Sequence, residues 1–336
     1  NNFLEGAAEN FLIGGAASQL GQDVQDVTFT HNYVFKPLSW DPSDPSYAGT
    51  PWSVKNLLEL KQGDRVLVEG NVFRNDWSAA QSGRAILIAT TDQGTGKEPW
   101  VAAENVTVEY NWMDNTQGMA EVSAYGGAPV DSGVASNHIA ISENLATNQG
   151  NGSGWMFLGV DDIASYAGNP LYSGSGSDVL IAHNTLLLSP SDTSRDDPTD
   201  GMEFESLVAA GETPLPNWAI RDNIFPIGRW GIHGTCQVGS ASVPCYGPGA
   251  WPGNLVYNTA ADDCGATAWS IFAASTPQCP VATVDDIGFV GPLTGTLSPA
   301  DFALLSTSPA KDAASDGSDI GVNITVLQAA IAGVAP

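Results

Sequence analysis

The chain has 336 residues, and 37 acidic against 11 basic side chains give it a net charge of −26. Such a surface repels nucleic acid and anionic membranes, so neither is an expected partner, and no apolar run is long enough to predict membrane insertion. Charged residues make up only 14% of the chain, which is usual for extracellular all-β proteins, so we expect a secreted or cell-surface protein.

Seven short segments alternate apolar with polar residues and then end in asparagine. The alternation is the period of a half-buried strand, and its recurrence predicts a stack of similar units. Asparagine tolerates the left-handed backbone conformation, so we expect it to turn the chain after each strand and to hydrogen-bond along the stack. The seven asparagines lie 33 to 40 residues apart, at Asn32, Asn71, Asn111, Asn144, Asn184, Asn223 and Asn258.

Each unit continues with a short apolar piece and, after a loop, a third strand. Three strands per unit predict an all-β fold, a single-stranded right-handed parallel β-helix with long loops and a capped C-terminal end. A β-propeller has a repeat of similar length but needs hairpin turn dipeptides at fixed offsets, which do not recur here. We expect residues 1–258 to form the β-helix and residues 259–336 to form a disulfide-containing segment, with a capping helix near 324–334.

The chain enters its first unit halfway. Asn1-Asn2-Phe3-Leu4 already reads as an asparagine corner followed by its short strand. An open end exposes strand edges, which natural proteins avoid. We therefore expect that residues precede Asn1, or that self-association through the open N-terminal end covers it.

Four segments together have a recognisable pattern: His31–Trp40, Pro51–Lys61, Arg65–Phe73 with Asn75, Trp77 and Gln81-Ser82-Gly83, and the closing Ser308–Asp312 with Asp319–Gly321. These segments resemble the secreted bacterial right-handed parallel β-helix repeat proteins of the pectate-lyase-like superfold. The resemblance covers most of the chain. It implies a β-helix whose characterised relatives include polysaccharide lyases and hydrolases, although no diagnostic active-site signature of either class is present.

Alternation in the third strand of each unit points a row of polar and aromatic residues outward. Acids beside exposed rings suit a sugar chain, because rings pack on pyranose faces and carboxylates bind hydroxyl groups. The candidate catalytic residues are Glu203, Glu205 and Glu121, and Glu203 and Glu205 are spaced near the lower limit for an inverting glycosidase pair. The alternative is that they are solvated charges. Candidate substrate-binding residues are Glu59, Lys61, Trp155, Phe157, His233 and Arg84.

Two further sets of residues remain open. Glu69 and Glu109 should be neighbours on successive units, where they either bind a cation, with calcium the candidate cofactor, or form a hydrated surface pair. Six of the few basic residues fall between positions 36 and 84, which is where a lyase would hold a proton-abstracting base; the alternative is a structural role. These residues are Lys36, Lys55, Lys61, Arg65, Arg74 and Arg84.

The four cysteines, Cys236, Cys245, Cys264 and Cys279, lie in one region. An even number without Cys-x-x-Cys spacing favours disulfides over zinc, and pairing of neighbours is the simplest of three arrangements. Disulfides in turn indicate an oxidising compartment.

Two functions follow as hypotheses. The first is binding or processing of an extracellular polysaccharide, by a lyase or a glycoside hydrolase if the protein is an enzyme. The second is a non-catalytic structural or adhesive surface protein, for which a filament subunit is one form.

Overall fold

The computed structural model describes about two thirds of the chain. The described residues are 1–16, 18–81, 83–91, 98, 100–123, 135–150, 158–162, 177–188, 202–206, 217–226, 232–233, 252–257, 278–281 and 283–334, with backbone only for 158–162, 177, 202–206, 232–233 and 278–281.

The described strands form three purely parallel sheets. As far as residue 221, consecutive strands of the chain belong to sheet 1, sheet 2 and sheet 3 in a repeating order. Sheet 1 contains β1 (Phe3–Glu5), β4 (Tyr33–Phe35), β7 (Val72–Arg74), β10 (Trp112–Asp114), β13 (Leu145–Gln149), β16 (Thr185–Leu188), β19 (Ile224–Pro226), β21 (Leu255–Tyr257) and β22 (Gln278–Val281). Sheet 2 contains β2 (Phe11–Ile13), β5 (Leu58–Leu60), β8 (Arg84–Ala89), β11 (Gly118–Ser123), β14 (Leu158–Asp162), β17 (Met202–Ser206) and β20 (Ile232–His233). Sheet 3 contains β3 (Gln25–Thr30), β6 (Gly63–Glu69), β9 (Ala103–Glu109), β12 (Asn137–Ser142), β15 (Ser177–Ala182) and β18 (Ala219–Arg221).

The inward faces of the three sheets share one apolar core. Alternate residues of each strand enter it, as with Val66 and Val68 in β6 or Ile86 and Ile88 in β8, all at most 2% exposed. Each fully buried aliphatic side chain contributes about 1.5–3 kcal/mol, so the repeated alternation itself drives the sheets together. The outward residues of the same strands are therefore free to be polar.

A ladder of eight asparagines joins sheet 3 to sheet 1. Each Oδ1 accepts hydrogen bonds from the backbone N and Nδ2 of the previous member, as Asn71 does from Asn32 at 2.9 Å each. The ladder confirms the predicted column of stacked amides. Its members are Asn2, Asn32, Asn71, Asn111, Asn144, Asn184, Asn223 and Asn254.

Two details of the asparagine prediction are wrong. From Asn32 onward, the left-handed residue is the one before each ladder asparagine, such as His31 (φ 54°) or Glu143 (φ 57°), so the asparagine bonds the corner while its neighbour turns it. The corner before Leu255–Tyr257 is formed by Asn254 rather than Asn258, because these three residues pair with Ile224–Pro226 in sheet 1.

Residues 283–334, here called the C-terminal segment, cover the outer face of sheet 1. The helix α1 (Ile324–Ala330) and two 3₁₀ turns (Val284–Ile287 and Pro299–Phe302) bury apolar side chains against Tyr33, Val72, Trp112, Leu145 and Ile224. The segment runs back along the stack: the Ser315 backbone N donates to Asp222 at 2.6 Å, and that of Asn323 donates to Glu143 at 2.6 Å. Its last described residues, Gly333 and Val334, line a small cavity with Asn1, Asn2, Phe3, His31 and Tyr33.

The predicted fold class, a single-stranded right-handed parallel β-helix with three strands in every turn and a capped C-terminal end, is wrong. The described chain forms three separate parallel sheets of nine, seven and six strands with few helices, and β21 and β22 extend sheet 1 alone. Purely parallel sheets covered on both faces are typical of α/β proteins, and sheet 1 is covered in this way. The expected capping helix instead lies along the flank of the stack. The repeat predicted which strands pair. It did not predict that the C-terminal segment, which lacks the repeat, covers the outer face of sheet 1.

Candidate functional site

The outer face of sheet 2 brings most of the predicted site positions into two columns. The strand register aligns Leu12, Glu59, Leu87, Glu121, Gly159, Glu203 and His233 in the first. It aligns Ala89, Ser123, Asp161 and Glu205 in the second. Because neighbouring strands lie about 4.8 Å apart, Glu59 and Glu121 are roughly 9.6 Å apart at their Cα atoms, with Leu87 between them. Glu121 and Glu203 are separated in the same way by Gly159.

Of the acids in the first column whose side chains are described, Glu59 is the more deeply buried. It is 3% exposed although it lies on the outer face of its strand. Its Oε1 lies 3.5 Å from Lys61 Nζ, and its Oε2 accepts a hydrogen bond from Asn56 Nδ2 at 3.4 Å. Burial raises the pKa of Glu59, and the neighbouring Glu9 raises it further, against the attraction of Lys61.

Glu9 is a second carboxyl group in direct contact with Glu59. The two share a side-chain hydrogen bond, and Lys55 Nζ lies 2.9 Å from Glu9 Oε1. Burial acts to raise the pKa of Glu9, but the hydrogen bond from Lys55 and the positive charge behind it lower it overall. The pKa values of these two adjacent carboxyl groups are shifted in opposite directions, which is the pattern of an acid beside a charged partner. Glu59 is the group that binds a proton more readily.

Arg84 and Glu121 form a buried ion pair next to Glu59. Arg84 Nε lies 3.2 Å from Glu121 Oε2, and the Arg84 backbone N donates to Asn56 Oδ1 at 3.1 Å. Asn56 therefore bonds to both Glu59 and the strand that carries Arg84. Ser123 Oγ donates to Glu121 Oε1 at 3.3 Å, which fixes the second oxygen. The Glu121 side chain remains 20% exposed, so it is the more accessible acid.

The other basic residues of the predicted cluster lie elsewhere. Lys36 is fully buried and donates to the carbonyl oxygens of Gly6 and Ala8 and to Asn10 Oδ1, which fixes the loop that carries Glu9. Arg65 binds Asp26 and Asp64 on sheet 3. Arg74 binds Asp114 at 3.1 Å on sheet 1 and lies over the ring of Trp112. Only Lys55, Lys61 and Arg84 of the six are at the candidate site.

The remaining predicted substrate-binding and catalytic residues are described less fully. Trp155 and Phe157 lie outside the described residues. In the described strand β14, Gly159 and Asp161 are aligned with Glu121 and Ser123 in the two columns. Glu203, Glu205 and His233 lie in strands of which only the backbone is described, and their roles stay predictions.

Sequence reasoning missed Glu9. The signal for Glu9 was β2: aligning Phe11-Leu12-Ile13 with Leu58-Glu59-Leu60 places the loop before β2 beside the loop before β5. Asp161 was expected on a loop, as a candidate calcium ligand, whereas it lies in strand β14 and pairs in register with Ser123.

The predicted calcium ligands are register neighbours on sheet 3. Glu69 and Glu109 are Cα partners in β6 and β9, and burial, followed by repulsion from Glu69, raises the pKa of Glu109. Within the described ranges, no three acidic, histidine or cysteine side chains are grouped so that they could hold a metal ion. Calcium binding by this pair therefore stays a prediction.

The predicted disulfides fall outside the described side chains. Cys236, Cys245 and Cys264 lie outside the described residues, and Cys279 belongs to β22, of which only the backbone is described. Their pairing stays a prediction, as does the division of the chain at residue 258.

No helix in the described part of the chain is long and apolar enough to cross a membrane. No protein-family model matches the sequence, and no curated protein is significantly similar to it.

Proposed function

We propose that this protein is secreted and binds and hydrolyses a polysaccharide on the outer face of sheet 2. One observation carries the proposal: a buried acid with a raised pKa, Glu59, lies two strand spacings from a second acid, Glu121, on one face. Charged groups are expensive to bury, and perturbed acids in such an arrangement are typical of functional sites. The predicted resemblance to secreted polysaccharide-processing proteins points to the same substrate class.

The roles of the two acids follow from their surroundings. Glu59 shares a hydrogen bond with Glu9 and has a raised pKa, so it is suited to donate a proton to the glycosidic oxygen as that C–O bond breaks. Glu121 is paired with Arg84 and partly exposed, so it is suited to take a proton from the water whose oxygen bonds to the anomeric carbon. Inverting glycosidases separate their carboxyl groups by about 6.5–9.5 Å, and the Cα atoms of Glu59 and Glu121 are separated by a distance of that order, about 9.6 Å. Glu9 holds the proton of Glu59 in place, and Lys61 and Lys55 orient the pair.

Glu203, Glu205, Asp161 and His233 extend the same face beyond Glu121. We propose that these positions bind the continuing sugar chain, so that Glu203 and Glu205 serve as binding residues more than as the catalytic pair. The backbone register supports this placement, since all four positions lie in the two outer columns.

Release of new reducing ends from neutral and acidic polysaccharides tests the proposal. We expect activity in the unmodified protein, loss of it in Glu59→Gln and Glu121→Gln, and retention in Glu5→Gln, which changes an exposed acid in β1. NMR of the first product should show inversion at the anomeric carbon. Ultraviolet absorbance of an unsaturated uronate would instead indicate a lyase, and silence on both substrate classes would contradict the proposal.

A second candidate function is self-association as a surface protein. Phe3 and Leu12 are 57% and 40% exposed in the edge strands β1 and β2, and exposed edges can pair with another chain. Light scattering of the full-length protein tests this candidate. Higher assemblies that dissolve in Phe3→Lys would support it, and monomers at all concentrations would contradict it.

A further inference from the structure

Two tryptophans pack together in the chain between β4 and β5. The rings of Trp40 and Trp52 have centroids 5.2 Å apart and planes inclined by 39°. Trp40 is half-buried, whereas Trp52 is 47% exposed. Trp40 therefore packs against an indole that is about half exposed.

The segment that carries Trp40 is held by its own hydrogen bonds. Asp41 Oδ1 accepts from the Ser43 N and Oγ at 2.9 and 2.8 Å, and Asp44 Oδ1 accepts from the Ser46 N and Oγ at 2.8 and 2.6 Å. The Ala48 backbone N closes this segment on Ser39 O at 2.8 Å. Trp52 follows the segment, and its own backbone N donates to Thr50 O at 2.9 Å. A ring that is already held by its neighbours loses less conformational freedom when a ligand packs against it.

The ring pair is joined directly to the loop that carries Glu9. The Ala8 backbone N donates to Ser53 O at 2.5 Å, and Ala8 and Val54 form a parallel bridge. Lys55, three residues after Trp52, binds Glu9 at 2.9 Å. Three residues span at most about 11 Å between Cα atoms, so Trp52 lies on the same stretch of chain as the lysine that binds Glu9.

We propose that Trp52, supported by Trp40, is a binding subsite for one pyranose ring of the polysaccharide. The inference rests on the proposed function and adds a binding contact to it. A pyranose presents C–H groups on one face, which pack on an indole, and hydroxyl groups around its edge, which suit Lys55 and the neighbouring acids. The strongly negative protein disfavours a nucleic-acid base as the ligand of this ring.

Equilibrium binding of soluble neutral and acidic polysaccharides tests the subsite, measured in a Glu59→Gln background so that no turnover occurs. Adding Trp52→Ala should weaken binding about tenfold, whereas Trp52→Phe should stay within about threefold because it keeps an aromatic face. Val290→Ala, an exposed apolar residue of the C-terminal segment, is the matched control and should change nothing. On the unmutated protein, bound polysaccharide should protect Trp52 from N-bromosuccinimide oxidation, located by peptide mass.

The outcomes separate the two proposals. Binding that depends on Trp52, in a protein that releases no reducing ends, would retain the subsite and overturn the hydrolysis. Hydrolysis with an unchanged KM in Trp52→Ala would overturn the subsite and retain the reaction. Equal binding by Trp52→Ala and its parent, or no binding to either class of polysaccharide, would also overturn the subsite.

Discussion

Asn111 lies at the centre of the asparagine ladder, and replacing it with alanine should destabilise the fold strongly. The side chain is fully buried. Its Oδ1 accepts from the Asn71 N and Nδ2 at 3.0 and 2.9 Å, and its Nδ2 donates to the oxygens of Val68, Glu109 and Asn144 at 2.9 to 3.0 Å. Five hydrogen bonds therefore disappear in Asn111→Ala.

The cost follows from which partners are left without a bond. The buried backbone N of Asn71 loses its ladder acceptor, which costs about 1–3 kcal/mol, and each bond whose partners keep other contacts costs about 0.5–1.5 kcal/mol. Since such losses are not additive, we expect a total of about 3–5 kcal/mol. Asn111→Asp should be no better, because a buried carboxylate would face three oxygen acceptors.

Urea unfolding followed by far-ultraviolet circular dichroism measures this loss as a lower midpoint at unchanged slope. Asn2→Ala is the matched control, because Asn2 is an exposed member of the same ladder with one side-chain bond, to Asn32 at 2.7 Å. It should cost less than about 1 kcal/mol. Equal losses in Asn2→Ala and Asn111→Ala would refute the reasoning that burial makes the ladder stabilising.

Three further predictions concern the C-terminal segment and the acid pair. Gly70→Ala would place a Cβ 2.5 Å from the carbonyl oxygen of Ala330. It should lower the free energy of unfolding by about 1–3 kcal/mol and speed hydrogen exchange in residues 324–334. The control is Gly295→Ala, where no atom lies within 4 Å of the new Cβ, and it should leave that exchange unchanged. Glu59→Gln should raise the melting temperature at neutral pH. Burial raises the pKa of Glu59 in the folded protein, so stability is lost as the pH rises above the unfolded pKa of 4.5 and towards the folded pKa. Below pH 4.5 the variant and the unmodified protein should melt at the same temperature. Lys55→Gln should raise the pKa of Glu9 in a carboxyl titration, because it removes the hydrogen bond that lowers it.

The sequence predicted the strand pairing better than the coverage of the sheets. Alternation correctly placed Leu58, Ile86 and Val122 in the core, because a strand with one buried face has an apolar residue at every second position. Gly70 illustrates a contact between distant parts of the chain, which leaves no such pattern. Its backbone is left-handed, yet His31 and Glu143 adopt the same conformation at equivalent corners, so the glycine is needed for the close approach of Ala330. That contact joins residues 260 positions apart and leaves no pattern in the sequence.

The candidate site was predictable as a face and only partly as a set of residues. Glu59 and Glu121 were correctly placed on the outer face, since two-residue alternation decides direction. The sequence pattern did not show the contact between Glu9 and Glu59, because Glu9 lies in a loop with no periodicity. Lys36 shows the same limit: its three acceptors lie 26 to 30 residues away, in the loop that it fixes.

Carboxyl titration by NMR, with the signals of Glu9 and Glu59 assigned from Glu9→Gln and Glu59→Gln, tests the proposed acid pair most directly. We expect Glu59 to titrate above 4.5 and Glu9 below it, and the loss of either partner to shift the other. If both groups titrate together at their usual value, Glu59 holds no proton for catalysis, and the site proposed on sheet 2 is contradicted.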